Sequence, residues 1–165
     1  MVPVILILHG FENPTGRDES AVKAMFVYNF TKYFDWSRIA SSNDFVIAVY
    51  GQSEIVQYLD EIALRKTVDG KPILIKVITS PEEVRGCQML FIPENVSRIL
   101  ETFQTYPPAN GLVIISESRG ALNKGAHINL VNVKGKLQFE LNESRMKGNG
   151  IKFAKSLSAL ANGTK

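Results

Sequence analysis

Two histidines, one cysteine and a few scattered serines and carboxylates are what this chain offers for chemistry. His9-Gly10 ends the apolar run VILIL, and a His-Gly turn after such a strand is one way to aim backbone N–H groups at an oxyanion. That chemistry also needs a nucleophile elbow, G-x-S-x-G, followed in order by an acid and a histidine. The elbow is missing: Ser116 sits in ISESRG, and His127, the one later histidine, follows without the required spacing. His9 and His127 are isolated from other ligands and read as surface or hydrogen-bonded structural histidines. Glu82-Glu83 opens a helix, where carboxylates favour the positive end of the dipole, so they read as helix formers before acid–base groups. Cys87 begins a strand without an accompanying histidine and reads as a small buried residue.

Phosphate and metal chemistry are equally thin. Neither G-x-G-x-x-G nor G-x-x-x-x-G-K-[ST] occurs, and Lys147-Gly148-Asn149-Gly150 falls between two predicted helices, as a break. A single cysteine excludes an intramolecular disulfide and any multi-cysteine metal site. No catalytic, cofactor-binding or metal-ligating residue is therefore assigned. The formal charge of +3 is small and evenly spread, with no Lys/Arg run longer than two and no basic-aromatic interleaving, which argues against nucleic acid.

The elements that would position any site are easier to read. With 165 residues, 45% of them hydrophobic and 21% charged, the chain suits one globular domain. The opening helix, Ala21 to Trp36 with Ser20 as N-cap, aligns Val22, Met25, Phe26, Asn29, Phe30, Tyr33 and Phe34 in one stripe and must be covered by the core. Phe45 to Tyr50 is an unbroken apolar run, the pattern of a strand buried on both faces. A helix capped by Ser53 follows, then a turn at Asp69-Gly70, a strand from Pro72 to Ile78 and a short helix start at Pro81. Cys87 to Ile92 reads as the next strand; Asn95 caps a helix that Pro107-Pro108 ends, and Gly111 to Ser116 is a fourth strand. Strands alternating with helices imply parallel neighbours covered on both faces. After Ser116 a loop between Gly120 and Gly125 leads to a hairpin, Ile128 to Val133 and Lys136 to Leu141, turning at Lys134-Gly135. Ile151 to Ala161 reads as a last helix ended by Gly163. The expected fold class is α/β: a mixed, largely parallel sheet of about six strands, helices on both faces and a C-terminal hairpin.

Residues 1–19 read as a signal-peptide remnant or an N-terminal linker, and 20–165 as a single α/β domain. MVPVILIL is too short to span a bilayer, so no direct membrane insertion is expected. An apolar run before a breaker-rich stretch, Gly10 to Glu19, also suits the tail of an export signal. Sequons at Asn29, Asn95, Asn142 and Asn162 fall mostly on predicted helices or their caps and read as chance.

Several spaced segments together resemble the YfiR family. VKAMFVYNFTKYFDW is similar to that family's Lys-Ala-x-Phe-x-Tyr-Asn-Phe helix; FVIAVYG matches its first strand and Gly70-Lys71-Pro72-Ile73 the turn before its second. CQMLFI fits the cysteine-led third strand, LQFELN the Phe-Glu-hydrophobic-Asn signature, and Gly150-Ile151 with Ser156-Leu157 the last helix. The resemblance covers about Ala21 to Ala161. It implies a periplasmic, non-enzymatic homodimer that binds and represses a membrane-bound signalling enzyme, a diguanylate cyclase, through that enzyme's periplasmic part or through a sensor protein, and so influences cyclic di-GMP and biofilm. Family members often carry a second cysteine on the first strand, where this chain has Ala48, and a further pair near SRGALNKGAHIN, where it has none. The alternatives are a small α/β-hydrolase-like enzyme and a small-ligand-binding module.

The hairpin and the segment after it, Ile128 to Met146, abandon strand–helix alternation and are expected at a sheet edge offered to a partner. The partner-binding residues assigned are Ile128, Glu140, Asn142 and Met146. Ile128 and Met146 would supply apolar contacts, and Glu140 would point outward between Phe139 and Leu141. A structural reading of the same residues has Asn142 capping the next helix and Arg145 pairing with Glu140.

Overall fold

FVIAVY carries no charge, and it forms β1 (Phe45–Tyr50), which has parallel neighbours on both sides and five of six residues buried. Such a strand is inserted into apolar layers above and below, which is why it shows no alternation. The computed structural model describes residues 16–37, 43–105 and 111–165. From β1 the chain passes through α2 (Ile55–Ala63) and the two-residue β2 (Thr67–Val68) into β3 (Lys71–Ile78), then crosses back past β1 to β4 (Met89–Ile92). It continues outward through β5 (Val113–Ser116), β6 (Ile128–Val133), β7 (Lys136–Leu141) and β8 (Gly163–Thr164). The spatial order is β2-β3-β1-β4-β5-β6-β7-β8. Among the described residues only β2–β3 and β6–β7 are antiparallel pairs, so the sheet is mixed and mostly parallel.

Helices cover both faces. On one, α1 (Gly16–Phe30), α2, α5 (Glu143–Gly148) and α6 (Lys155–Leu160) enclose a core containing Phe26, Phe30, Ile47, Phe91, Ile128, Phe139, Met146 and Leu157. On the other, α3 (Leu100–Thr105) and α4 (Ala121–Lys124) cover Ala48, Leu90, Ile92, Ile114 and Cys87. The hairpin is attached to α1 by aromatic packing: Phe139 meets Phe30 edge-on at 5.0 Å and Phe26 at 6.2 Å. Burying each such ring contributes about 1.5–3 kcal/mol.

The differences from the sequence reading lie at element ends. Gly16–Glu19, expected as linker, are already helical, so Ser20 lies inside α1 and is not its N-cap; residues 1–15, including His9-Gly10, lie outside the described part. α1 stops at Phe30 and tightens into a 3-10 turn, Thr31–Tyr33. Beyond it Trp36 turns back to donate its indole N–H to the Thr31 carbonyl at 2.8 Å, and Phe34 forms a bridge with Phe153. That bridge holds Ile151 to Ala154 extended, with Ala154 N–H on the Tyr33 carbonyl, so the last helix is only α6. Gly163, expected to end a helix, starts β8. The helix expected from Asn95 begins as a 3-10 segment, Glu94–Ile99, before α3. The expected loop at Gly120–Gly125 contains α4, and a Cβ on Gly125 would sit 2.8 Å from the Leu100 carbonyl oxygen, so only glycine fits there.

Candidate partner-binding site

The β6–β7 hairpin turns at Lys134 and Gly135, both with positive φ (51° and 80°), as the right-handed twist of the two strands requires. The turn fixes the register, pairing Asn129 with Glu140 and Ile128 with Leu141. Because side chains alternate, Phe139 and Leu141 enter the core under α1 and Glu140 takes the opposite face. This part of the reading agrees with the structure; the apolar part does not. Ile128 and Met146 are both 0% exposed, so in this conformation neither offers surface to a partner. The reason is that α5 folds back over the sheet and seats Met146 in the same core as Ile128. Nor is β7 an open edge throughout, since β8 pairs with its end at Glu140 and Leu141.

Asn142 is the N-cap of α5: its Oδ1 accepts the Arg145 backbone N–H at 2.9 Å, and its Nδ2 donates to the Leu122 carbonyl at 3.1 Å. It is therefore engaged in joining α5 to α4. Arg145 forms no ion pair with Glu140; among the described residues the ion pairs are Lys23 with Glu19 and Glu117, and Lys147 with Glu143. Glu140 is half-buried and unpaired by any cation there.

Register brings together residues that no sequence spacing reveals. Ser116 pairs with Asn129, Asn129 with Glu140, and Glu140 with Gly163, so a polar row crosses β5, β6 and β7 to β8. Its inner end is satisfied, because the Ser116 hydroxyl donates to the Ile92 carbonyl at 3.0 Å. Its middle is not: Asn129 is 2% exposed and its Oδ1 has no hydrogen-bond partner. Its outer end is the Glu140 carboxylate. A buried amide oxygen beside a half-buried carboxylate makes a locally electronegative strip that a donor or cation would satisfy.

His127 lies beside the same strand and is closed off from chemistry. Its Nδ1 accepts the Ile114 backbone N–H at 2.9 Å, which leaves the proton on Nε2 for Asn149 Oδ1 at 2.8 Å. Burial pushes its pKa down to about 4, aided by the nearby Arg145 charge and opposed by the Asn149 hydrogen bond. The Lys147–Gly150 segment is thus more than a break, since Asn149 fixes this ring. It also lines a cleft of about 480 Å³ with Phe34, Trp36 and Ile151. Ser116 meets Ser118 and a backbone carbonyl, not a histidine. Glu83 acts as a cap: it accepts the Thr79 and Ser80 backbone N–H groups, each at 3.0 Å, which hold its carboxyl below the usual range.

Among curated proteins none matches the chain. A solved structure of the ABC domain in complex with L-Trp from Streptococcus pneumonia aligns with TM-score 0.48 and 12% identity over 82% of this chain; the chain covers 60% of that structure's length. Among the described residues no helix is long and apolar enough to cross a membrane. A family model described as YfiR/HmsC-like matches residues 20–162.

Proposed function

The chain belongs to the YfiR/HmsC-like family, and from that membership we propose that it is a non-enzymatic periplasmic regulator that binds and represses a membrane-bound signalling enzyme, a diguanylate cyclase. The observation that carries this reading is the family match over residues 20–162, which takes in both faces of the sheet and the hairpin. The contact face is the outer end of the polar row. Glu140 stands there without an ion pair among the described residues, and Asn142, the other half-exposed member of the assigned set, sits at the mouth of α5 two residues on. A carboxylate with no ion pair among the described residues selects an arginine or lysine of the cyclase's periplasmic part, a charge-assisted contact that gains as water is excluded. Ile128 and Met146 support this face from beneath. Homodimers of the chain would present two such faces.

The test uses the isolated periplasmic part of the cyclase and, separately, cyclase-containing membranes. Addition of the chain should form a complex and lower cyclic di-GMP synthesis, and Glu140→Lys should weaken both by about tenfold or more. Glu140→Gln, which keeps the shape, should fall between. A chain that leaves cyclic di-GMP synthesis unchanged while forming no complex would overturn the proposal, as would recovery of the product of the full gene from the cytosol.

A further inference from the structure

On the outer side of the helix layer, α1 and α2 diverge around an apolar valley. Ala21, Met25 and Tyr28 recur at helical spacing along α1 and face Tyr58 and Ile62 of α2 across a groove of about 260 Å³. Met25 is 37% exposed on its wall. The groove ends among cations. Arg65 and Lys66 close it at the end of α2, with one carboxylate, Glu61, on the wall a turn before Arg65, and Lys32, one turn beyond Tyr28, holds its ammonium 5.0 Å from the centre of that ring. None of the three cations forms an ion pair among the described residues. Partial burial, and the charge of Lys66, push the Lys32 ammonium pKa down, so the two lysines feel each other. The dipole at the end of α2 accounts for cations at Arg65 and Lys66. It does not account for a third, brought to the same place by a different element.

We propose that the α1–α2 valley is a docking groove for a segment of a partner protein that combines apolar side chains with carboxylates. The apolar side chains lie over Met25, Tyr28 and Ile62, and the carboxylates reach Lys32, Arg65 and Lys66. Along α1 the lining runs from Ala21 to Tyr28, about 10 Å, and Lys32 lies one turn further on, so two to three turns of a helix fit along it. Charge complementarity selects the occupant: an apolar surface alone accepts many partners, but three cations against the single carboxylate of Glu61 at one end favour acidic ones and fix their direction. This surface and the Glu140 face therefore choose opposite charges, and neither depends on the other.

The probe is a fluorescein-labelled helical peptide with leucines at i, i+3, i+4 and i+7 and glutamates in its last turn, compared by anisotropy with a counterpart carrying lysines there. The wild-type chain should prefer the glutamate peptide by about tenfold at low salt. Arg65→Glu with Lys66→Glu, both at exposed positions, should reverse that preference while leaving the thermal transition in place. Met25→Asp should weaken both peptides. Equal binding of the two peptides, or a preference that survives the double charge reversal, overturns the proposal. So does self-association that the charge reversal abolishes, which would make the occupant a second copy. Binding to phosphatidylglycerol vesicles with no binding of the glutamate peptide would make it a membrane surface, and overturns it too.

Discussion

His127 is where a single proton reaches the whole fold. As a neutral ring it accepts the Ile114 N–H and donates to Asn149, joining β5, β6 and the end of α5. Protonation puts hydrogens on both nitrogens and removes the acceptor. The folded pKa of about 4 lies below the ordinary 6.5. Above pH 6.5 both folded and unfolded chains keep the ring neutral, and its contribution is complete. As pH falls from 6.5 towards 4 the unfolded chain takes up a proton that the folded chain refuses, so stability declines by on the order of 3 kcal/mol. Arg145 acts in the same direction by repelling the imidazolium. Denaturant titrations at several pH values should show this slope in the native sequence and lose it in His127→Gln, whatever the latter's own stability. Cys87 provides a second test. It is 6% exposed, its Sγ lies 3.7 Å from the Glu83 carbonyl, and burial pushes its thiol pKa up, with Lys76 acting against this. The native thiol should label slowly at neutral pH, and Cys87→Ala should lower stability by about 1–2 kcal/mol. Rapid labelling of the folded chain would show that this side chain is accessible.

At the scale of elements, the hairpin and α5 separate support from contact. Met146→Asp places a carboxylate in a site with no exposure and should destabilise by on the order of 3–5 kcal/mol. Glu140→Lys alters a half-exposed strand position and should move stability by about 0.5 kcal/mol or less while weakening the partner complex. Thermal melts run beside binding assays check both; an early melt for Glu140→Lys would assign the carboxylate to the fold instead. The sequence showed which way Phe139 and Leu141 point because alternation in a strand is a local rule. It did not show where Met146 goes: ESRMKG has one apolar residue, and only the tertiary return of α5 decides that it is covered. The polar row of Ser116, Asn129 and Glu140 was invisible for the same reason, since register across three strands is set by turn geometry and packing, not by spacing. The β1 run was legible because a strand buried on both faces must be apolar throughout. β2 and β8, two residues each, have no period to read, and α6 is shorter than the apolar spacing of Ile151 to Ala161 suggests because the Phe34–Phe153 bridge overrides that spacing.

At the scale of the molecule, one sheet serves two cores, and each holds its own natural reporter. Trp36, the only tryptophan, packs against Phe45 at 4.8 Å in the core beneath α1. Cys87, the only cysteine, lies in the core beneath α3 and α4. β1, β4 and β5 send alternate side chains into each: Ile47 and Ala48, Phe91 and Leu90, Ile115 and Ile114. Neither layer of helices can leave without exposing one face of strands whose pairing depends on the other, so the faces should unfold together. Trp36 fluorescence and pulsed labelling of Cys87, tracked through the same denaturant series, should give the same midpoint. Coincident curves are the mark of a single cooperative unit. If Cys87 reacts at a denaturant concentration where Trp36 is still native, then the 3-10 segment Glu94–Ile99, α3 and α4 open as a separate unit of lower stability. The sheet would then hold through the α1 side alone, and the chain could expose its second face without losing its first.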